Sequence, residues 1–134
     1  MNGRTFFDTN VLIYAAVKDD PRSERAEQLL VVEGVISVQV LNEFVSVARR
    51  KYQMPWNGVR VALQWIRFLC PDVVPIEIET HEVAVRIAEQ YGYRIYDSLI
   101  IASALEAKCG VLYSEDLRDG QIIGKELTIR NPFK

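Results

Sequence analysis

The segment Tyr96-Asp97-Ser98-Leu99-Ile100-Ile101-Ala102-Ser103-Ala104-Leu105 leaves a helix almost no face to show to water. Leu99, Ile100, Ile101, Ala102, Ala104, Leu105 and Ala107 surround it, and a helix that is apolar on every side has to be covered by other elements. Asp97 stands at its N-terminus, where the helix dipole favours an anion. Along the rest of the chain, short β-favouring runs alternate with amphipathic stretches. Strands alternating with helices imply an α/β fold, a mostly parallel sheet covered on both faces.

The first run, Thr5-Phe6-Phe7, favours a strand and leaves no room for a helix before Asp8. After Asn10 the sequence turns apolar and helix-compatible, so Asp8 falls where a strand hands over to a helix. In open α/β sheets ligands bind outside that end of the strands. Capping the next helix would by itself account for Asp8 or Asn10. Asp20-Pro21 predicts a second helix, with Asp20 as N-cap and Pro21 in the first helical position. Ala26, Leu29 and Leu30 form its apolar face and Gly34 its stop. Val35-Ile36-Ser37 is the second strand. From Gln39 to Tyr52, Leu41, Phe44, Val45, Ala48 and Tyr52 recur at helical spacing, with Glu43 at the edge of the stripe, neither fully solvated nor buried. Met54-Pro55-Trp56 breaks that helix. The next runs through Val59, Ala62, Leu63, Ile66 and Leu69 and closes at Pro71. A third strand covers Val73 to Ile76, where Pro75 favours a sheet edge. Thr80 caps a helix whose core side is Val83, Ala84, Ile87, Ala88 and Tyr91, and Gly92 stops it. Val111-Leu112-Tyr113 is the fourth strand, followed by Ser114-Glu115-Asp116 and a polar turn through Asp119-Gly120. The fifth strand spans Leu127 to Arg130.

The 134 residues make one domain, 1–134, long enough to bury its own core. No apolar segment approaches the roughly 20 residues that span a bilayer, and no secretory signal is expected, which points to the cytoplasm. Cys70 and Cys109 lack CxxC spacing and neighbouring histidines, so they read as buried thiols in a reducing compartment. His81 is the only histidine, which removes histidine triads and zinc cages from consideration. The formal charge of −2 argues against nucleic acid only on average. With four acids set aside as metal ligands, 16 basic residues face 14 acidic ones, a balance that permits a nucleic-acid surface.

Asp8 follows strand one, Glu43 lies on the helix after strand two, Asp97 starts the buried helix, and Asp116 follows strand four. Brought to one end of the sheet, four carboxylates repel one another and stay ionised only with cations among them. Hard, oxygen-seeking magnesium or manganese suits such a set, and a site of that kind hydrolyses phosphodiesters.

In these features the sequence resembles the PIN-domain nucleases, and within them the VapC-type toxins of type II toxin–antitoxin modules. The resemblance rests on Phe7-Asp8-Thr9-Asn10-Val11-Leu12, Ser37 with Glu43 six residues on, Tyr96-Asp97-Ser98 before the Ala-rich helix, Ser114-Glu115-Asp116 and the closing Asn131-Pro132-Phe133. It spans Thr5 to Phe133, and its specificity lies in the ordered set. It implies a Rossmann-like three-layer α/β/α fold with a mostly parallel five-stranded sheet of order 3-2-1-4-5. It also implies an endoribonuclease using Mg2+ or Mn2+, neutralised by a cognate antitoxin, in a homodimer. Carried over by position, Asp8, Glu43, Asp97 and Asp116 are the catalytic, metal-binding acids. Asn10, Ser37 and Ser114 are supporting polar groups, Ser114 standing where relatives often have threonine. Asp119 is an extra acid whose role the family pattern leaves open.

Several features carry competing readings. Arg49-Arg50-Lys51 could grip RNA phosphates, although a basic run at a helix end is usually a solvated face suited to the dipole. Trp56 and Trp65 could stack on bases, but core or interface packing is the commoner use of such residues. Together with Phe68 they give one helix a second apolar flank, as a homodimer would need. An aspartyl-phosphate phosphatase would require an aspartate where Asn10 stands. A catalytically inactive PIN-like RNA- or protein-binding domain would be expected to lack one or more of the four acids, all of which are present.

Overall fold

The computed structural model describes residues 3–134. Its elements are β1 (Arg4–Phe7), α1 (Thr9–Ala16), α2 (Ser23–Val31), β2 (Val35–Ser37), α3 (Val38–Arg50), α4 (Trp56–Leu69), β3 (Asp72–Val74), α5 (Ile78–Tyr91), α6 (Ile95–Glu106), β4 (Cys109–Tyr113), β5 (Ile122–Ile123) and β6 (Leu127–Arg130). They form a three-layer α/β/α fold around one sheet of order β3-β2-β1-β4-β6-β5. The first five strands in that order are parallel neighbours and reproduce the expected 3-2-1-4-5 arrangement, with β6 in the fifth place. The two-residue β5 is an addition, antiparallel to β6 at the sheet edge. Its turn forms because Gly124 and Lys125 both take positive φ, and the Glu126 N–H closes it on Ile123 O at 3.2 Å. A strand of two residues has no alternation to read, so pattern alone does not reveal it.

β1 lies at the centre of the sheet, and its successive residues Phe6 and Phe7 are both fully buried on opposite faces. Phe7 explains Gly34: a Cβ there would lie 2.3 Å from the Phe7 ring. This glycine makes room for the ring just before β2. It does not end the preceding helix, which stops at Val31 with the Val32 N–H bonded to Leu29 O. α6 is the covered helix that its composition demands, buried from Ser98 through Ala104. It packs along α5 and also meets α3, β2 and β4, while α1 packs on α2 and α3.

Two helix starts differ from expectation. The Asp20 carboxylate accepts from the Arg22 backbone N–H and its guanidinium at 2.8–2.9 Å, forming a turn of its own, and α2 begins later at Ser23. In α5 the N-cap is Glu77, and Thr80 supplies the reciprocal half of a capping box by accepting from the Glu77 N–H at 3.1 Å. Gly92 ends α5 in the left-handed region, φ 82°, as its position suggested. β3 occupies the edge and stops before Pro75.

Candidate active site

The register of the sheet assembles the centre of the site. Phe7 pairs with Tyr113, so the next residues on both strands, Asp8 and Ser114, emerge side by side. The Asp8 N–H donates to Tyr113 O at 3.0 Å. On the other flank, pairing of Phe6 with Val35 brings Ser37 to the same end of the sheet.

Asp8 is buried and caps α1. Its Oδ1 accepts from the Thr9 N–H at 2.6 Å and its Oδ2 from Ser114 Oγ at 2.7 Å. Ser114 is held in turn, its Oγ accepting from the Leu117 N–H at 3.3 Å. Burial pushes the Asp8 carboxyl up from 3.8 to about 6; the hydrogen bonds from Ser114 and Thr9 oppose that, and the charges of Glu43 and Asp116 add to it. Desolvation therefore outweighs two good donors, and an ionised Asp8 without a nearby cation costs free energy.

Glu43 is half-buried on α3, accepting from Thr9 Oγ1 at 3.1 Å and from Gln39 Nε2 at 3.2 Å. Ser37 caps that helix, its Oγ accepting from the Val40 N–H at 3.2 Å. It fixes where α3 starts, and hence where Glu43 stands. Asp116 is exposed and accepts from Asn10 Nδ2 at 2.9 Å. Asp97, in the first turn of α6, has the Arg94 guanidinium 3.5 Å away.

Glu43, Asp97 and Asp116 line one cleft of about 570 Å³, shared with Arg50, Arg94 and Tyr96. Asp8 lies outside its lining but is coupled to it by charge and through Thr9, which touches both Asp8 and Glu43. Among the described residues no three acid, histidine or cysteine side chains stand within common reach of one ion. The chemistry of the donors nevertheless fits a hard cation: the four acids offer only carboxylate oxygens, and Asp8 is a buried carboxylate short of positive charge.

Other expected groups lie elsewhere. Asp119 accepts from the Asn131 N–H at 2.8 Å and has Lys134 at 3.5 Å, which holds its carboxyl below the usual range and ties the chain end to the loop after β4. It does not line the acidic cleft. The basic run is divided three ways. Arg49 donates to Met54 O at 2.9 Å and covers the Trp56 ring, Lys51 lies over Tyr52, and Arg50 lines the cleft. Trp65 lines a separate, mainly apolar cavity of about 620 Å³ between α1 and α4, which contains none of the four acids. Cys70 and Cys109 are free, buried thiols pushed up to about 11 chiefly by burial.

Pattern reading missed three contributors. Thr9 sits between two residues it singled out, and its role depends on a contact 34 positions away. Arg94 is separated from Asp97 by one helical turn, the only local signal it offers. Glu115, next to Asp116, is drawn away by the Tyr14 hydroxyl and by Arg22 at 3.0 Å, with the Arg22 guanidinium stacked 3.8 Å over the Tyr14 ring. That anchor leaves Asp116 as the loop's acid in the cleft.

The chain matches the family described as PIN domain over residues 5–121. No curated protein matches it. Among solved structures it is similar to the VapC20 toxin of Mycobacterium tuberculosis, described as cleaving the sarcin-ricin loop, with 19% identity over 84% of this chain and 89% of that one and a TM-score of 0.70. A toxin–antitoxin complex from Klebsiella pneumoniae gives 21% identity, 97% and 98% coverage and a TM-score of 0.72. DNA-bound VapBC from Salmonella typhimurium gives 19%, 97% and 98%, and 0.68. At these identities the likeness is one of fold.

Proposed function

The chain belongs to the PIN-domain family, and from that premise we propose that it is a divalent-metal-dependent endoribonuclease of the VapC toxin type. It acts in the cytoplasm on cellular RNA, as a single-domain chain that forms a homodimer and is held inactive by a cognate antitoxin. The observation that carries the reading is one cleft lined by Glu43, Asp97 and Asp116 and coupled to the buried Asp8 behind it. The fold it shares with structures of toxin–antitoxin complexes, and with a toxin that cleaves the sarcin-ricin loop, supports the biological setting.

Asp8, Glu43, Asp97 and Asp116 would hold magnesium or manganese. When bound, such an ion activates water and stabilises charge on the phosphate and the leaving oxygen. The protein's part is to aim the carboxylates. Ser114 and the Thr9 N–H fix the two oxygens of Asp8, Thr9 Oγ1 and Gln39 fix those of Glu43, and Asn10 holds Asp116. Asp97 gains from the N-terminus of α6, where unpaired backbone N–H groups favour an anion.

The test is cleavage of RNA by the purified protein with magnesium or manganese. Asp8→Asn and Asp97→Asn should each lower the rate by more than about 100-fold, and a chelator should abolish it. Cleavage by Asp8→Asn at the parent's rate would refute the assignment. The competing reading, a catalytically inactive binding domain, draws on the lack of three acids within common reach of one ion among the described residues. It requires RNA binding without cleavage in the parent protein under the same conditions.

A further inference from the structure

The acidic cleft presents a difficulty for any anionic substrate, because its acids repel the phosphates it would have to admit. The rest of its lining carries the answer. Arg50, in the last turn of α3, and Arg94, the N-cap residue of α6, line the same cleft from two different helices. Resting on the nuclease reading above, we infer that Arg50 and Arg94 grip RNA phosphates beside the acids, and that the Tyr96 ring stacks on a base between them.

Partnering separates these two arginines from others that have structural work. Arg22 is committed to Asp20 and Glu115, Arg4 to Asp72 and Ala107 O, Arg49 to Met54 O, and Arg118 to Tyr91 O at 2.8 Å. Among the described residues Arg50 has no hydrogen-bond or ion-pair partner, and Arg94 has only Asp97. That contact is 3.5 Å long and runs from Nε, so both terminal guanidinium nitrogens of Arg94 remain open to an anion. The Arg94 side chain is 88% exposed, where an ion pair holds weakly and exchanges readily. Arg67, Arg86 and Arg130 also lack partners among the described residues, but none lines the cleft.

An arginine fork matches two phosphate oxygens at once, which a lysine ammonium does not. Carried on two different helices, the pair offsets the repulsion of the three acids in the same lining. Tyr96 is 62% exposed, directly precedes Asp97 and lines the same cleft. An aromatic ring left in water beside a phosphate-binding arginine is the arrangement that holds an unpaired base.

The experiment measures RNA binding and cleavage separately. Binding of a fluorescein-labelled, unstructured RNA of about 12 nucleotides, within the usual site size for single strands, is followed by anisotropy in an Asp8→Asn background across a salt series. Cleavage of the same RNA is measured with the native aspartate and excess magnesium. Arg50→Ala and Arg94→Ala should each reduce the slope of log K against log salt by about 0.7, and raise KM with kcat kept within about threefold. Arg50→Lys and Arg94→Lys should restore the slope while recovering only part of the affinity. Tyr96→Ala should weaken binding about five- to a hundredfold and Tyr96→Phe hardly at all. Arg49→Ala and Lys51→Ala, which alter the same basic run outside the cleft, should leave the slope unchanged.

Equal slopes for parent, Arg50→Ala and Arg94→Ala overturn the inference while the nuclease reading stands. So does an equal effect of Arg49→Ala or Lys51→Ala. An Arg94→Ala protein with unchanged RNA affinity and tighter magnesium binding would make Arg94 a plug on Asp97 in place of a phosphate contact. A parent protein that neither binds nor cleaves the RNA removes the nuclease reading itself, and the inference with it.

Discussion

Replacing Asp8 by asparagine should make the metal-free protein more stable above neutrality, and the structure gives the size of the effect. Burial raises the Asp8 carboxyl from 3.8 to about 6. Between those values the folded protein holds a proton that the unfolded chain has released, so stability falls as pH rises through that window. At 1.36 kcal/mol for each tenfold change, the ionised Asp8 costs the fold about 3 kcal/mol above pH 6 relative to its protonated form. Asparagine keeps the shape without the charge, and its Oδ1 can still accept from the Thr9 N–H. Ser114, which now donates to Asp8, would have to reorganise around an amide, at a cost of about 1 kcal/mol. The net gain is about 2 kcal/mol at about pH 7.5, or about 7 °C in Tm for a chain of this length. At about pH 4 the charge term is nearly gone, and the variant should be equal to the parent or slightly less stable. Thermal unfolding followed by circular dichroism, with chelator present at both pH values, measures this directly. A gap between variant and parent that does not change with pH would show that Asp8 is not desolvated as described. Adding magnesium should stabilise the parent and do much less for the variant, since a ligand stabilises the fold only through what it binds.

Ser114→Ala removes a donor to a buried carboxylate and should cost about 1.5–3 kcal/mol by urea unfolding at neutral pH in chelator, with weaker cleavage as a second readout. Arg22→Ala frees Glu115 from its anchor beside Asp116; because the Arg22 side chain is 39% exposed, the stability loss should be only about 1 kcal/mol. Cleavage should nevertheless fall, and a variant that loses stability without losing activity would separate the anchor from the site. Trp56, Val61 and Phe68 leave a broad apolar surface on α4 in water. Light scattering at micromolar concentration should give the mass of a dimer, and a monomer there would refute the assembly.

The fold was legible where period and composition pointed the same way. A segment apolar on all sides pointed to the covered helix α6, and the β-favouring run Thr5-Phe6-Phe7 before Asp8 pointed to the strand β1. Helix boundaries were less legible because several residue types compete for the same local roles. Asp20 before Pro21 has the chemistry of a helix cap, but Arg22 offers its carboxylate three donors, and the turn they make delays α2 to Ser23. Gly34 could end a helix by its backbone freedom. Its value here is the missing Cβ, which only a ring 27 positions away explains.

The gathering of Glu43, Asp97 and Asp116 at one cleft, with Asp8 close by, was legible from their order along the chain, because a parallel sheet delivers the carboxyl ends of its strands to one end. Their partners were not, since each is chosen by register and side-chain reach. Ser114 meets Asp8 only because Phe7 pairs with Tyr113, and a shift of one residue would turn it to the opposite face. The same limit explains Arg49-Arg50-Lys51. A basic run has one charge pattern in sequence, but successive residues on a helix point about 100° apart. Three adjacent cations therefore cannot all face one surface. Arg49 goes to Trp56, Lys51 to Tyr52, and only Arg50 faces the acids. Net charge hides this sorting. What governs an anionic substrate is the charge it meets at the cleft, where Arg50 and the loosely held Arg94 share the lining with Glu43, Asp97 and Asp116.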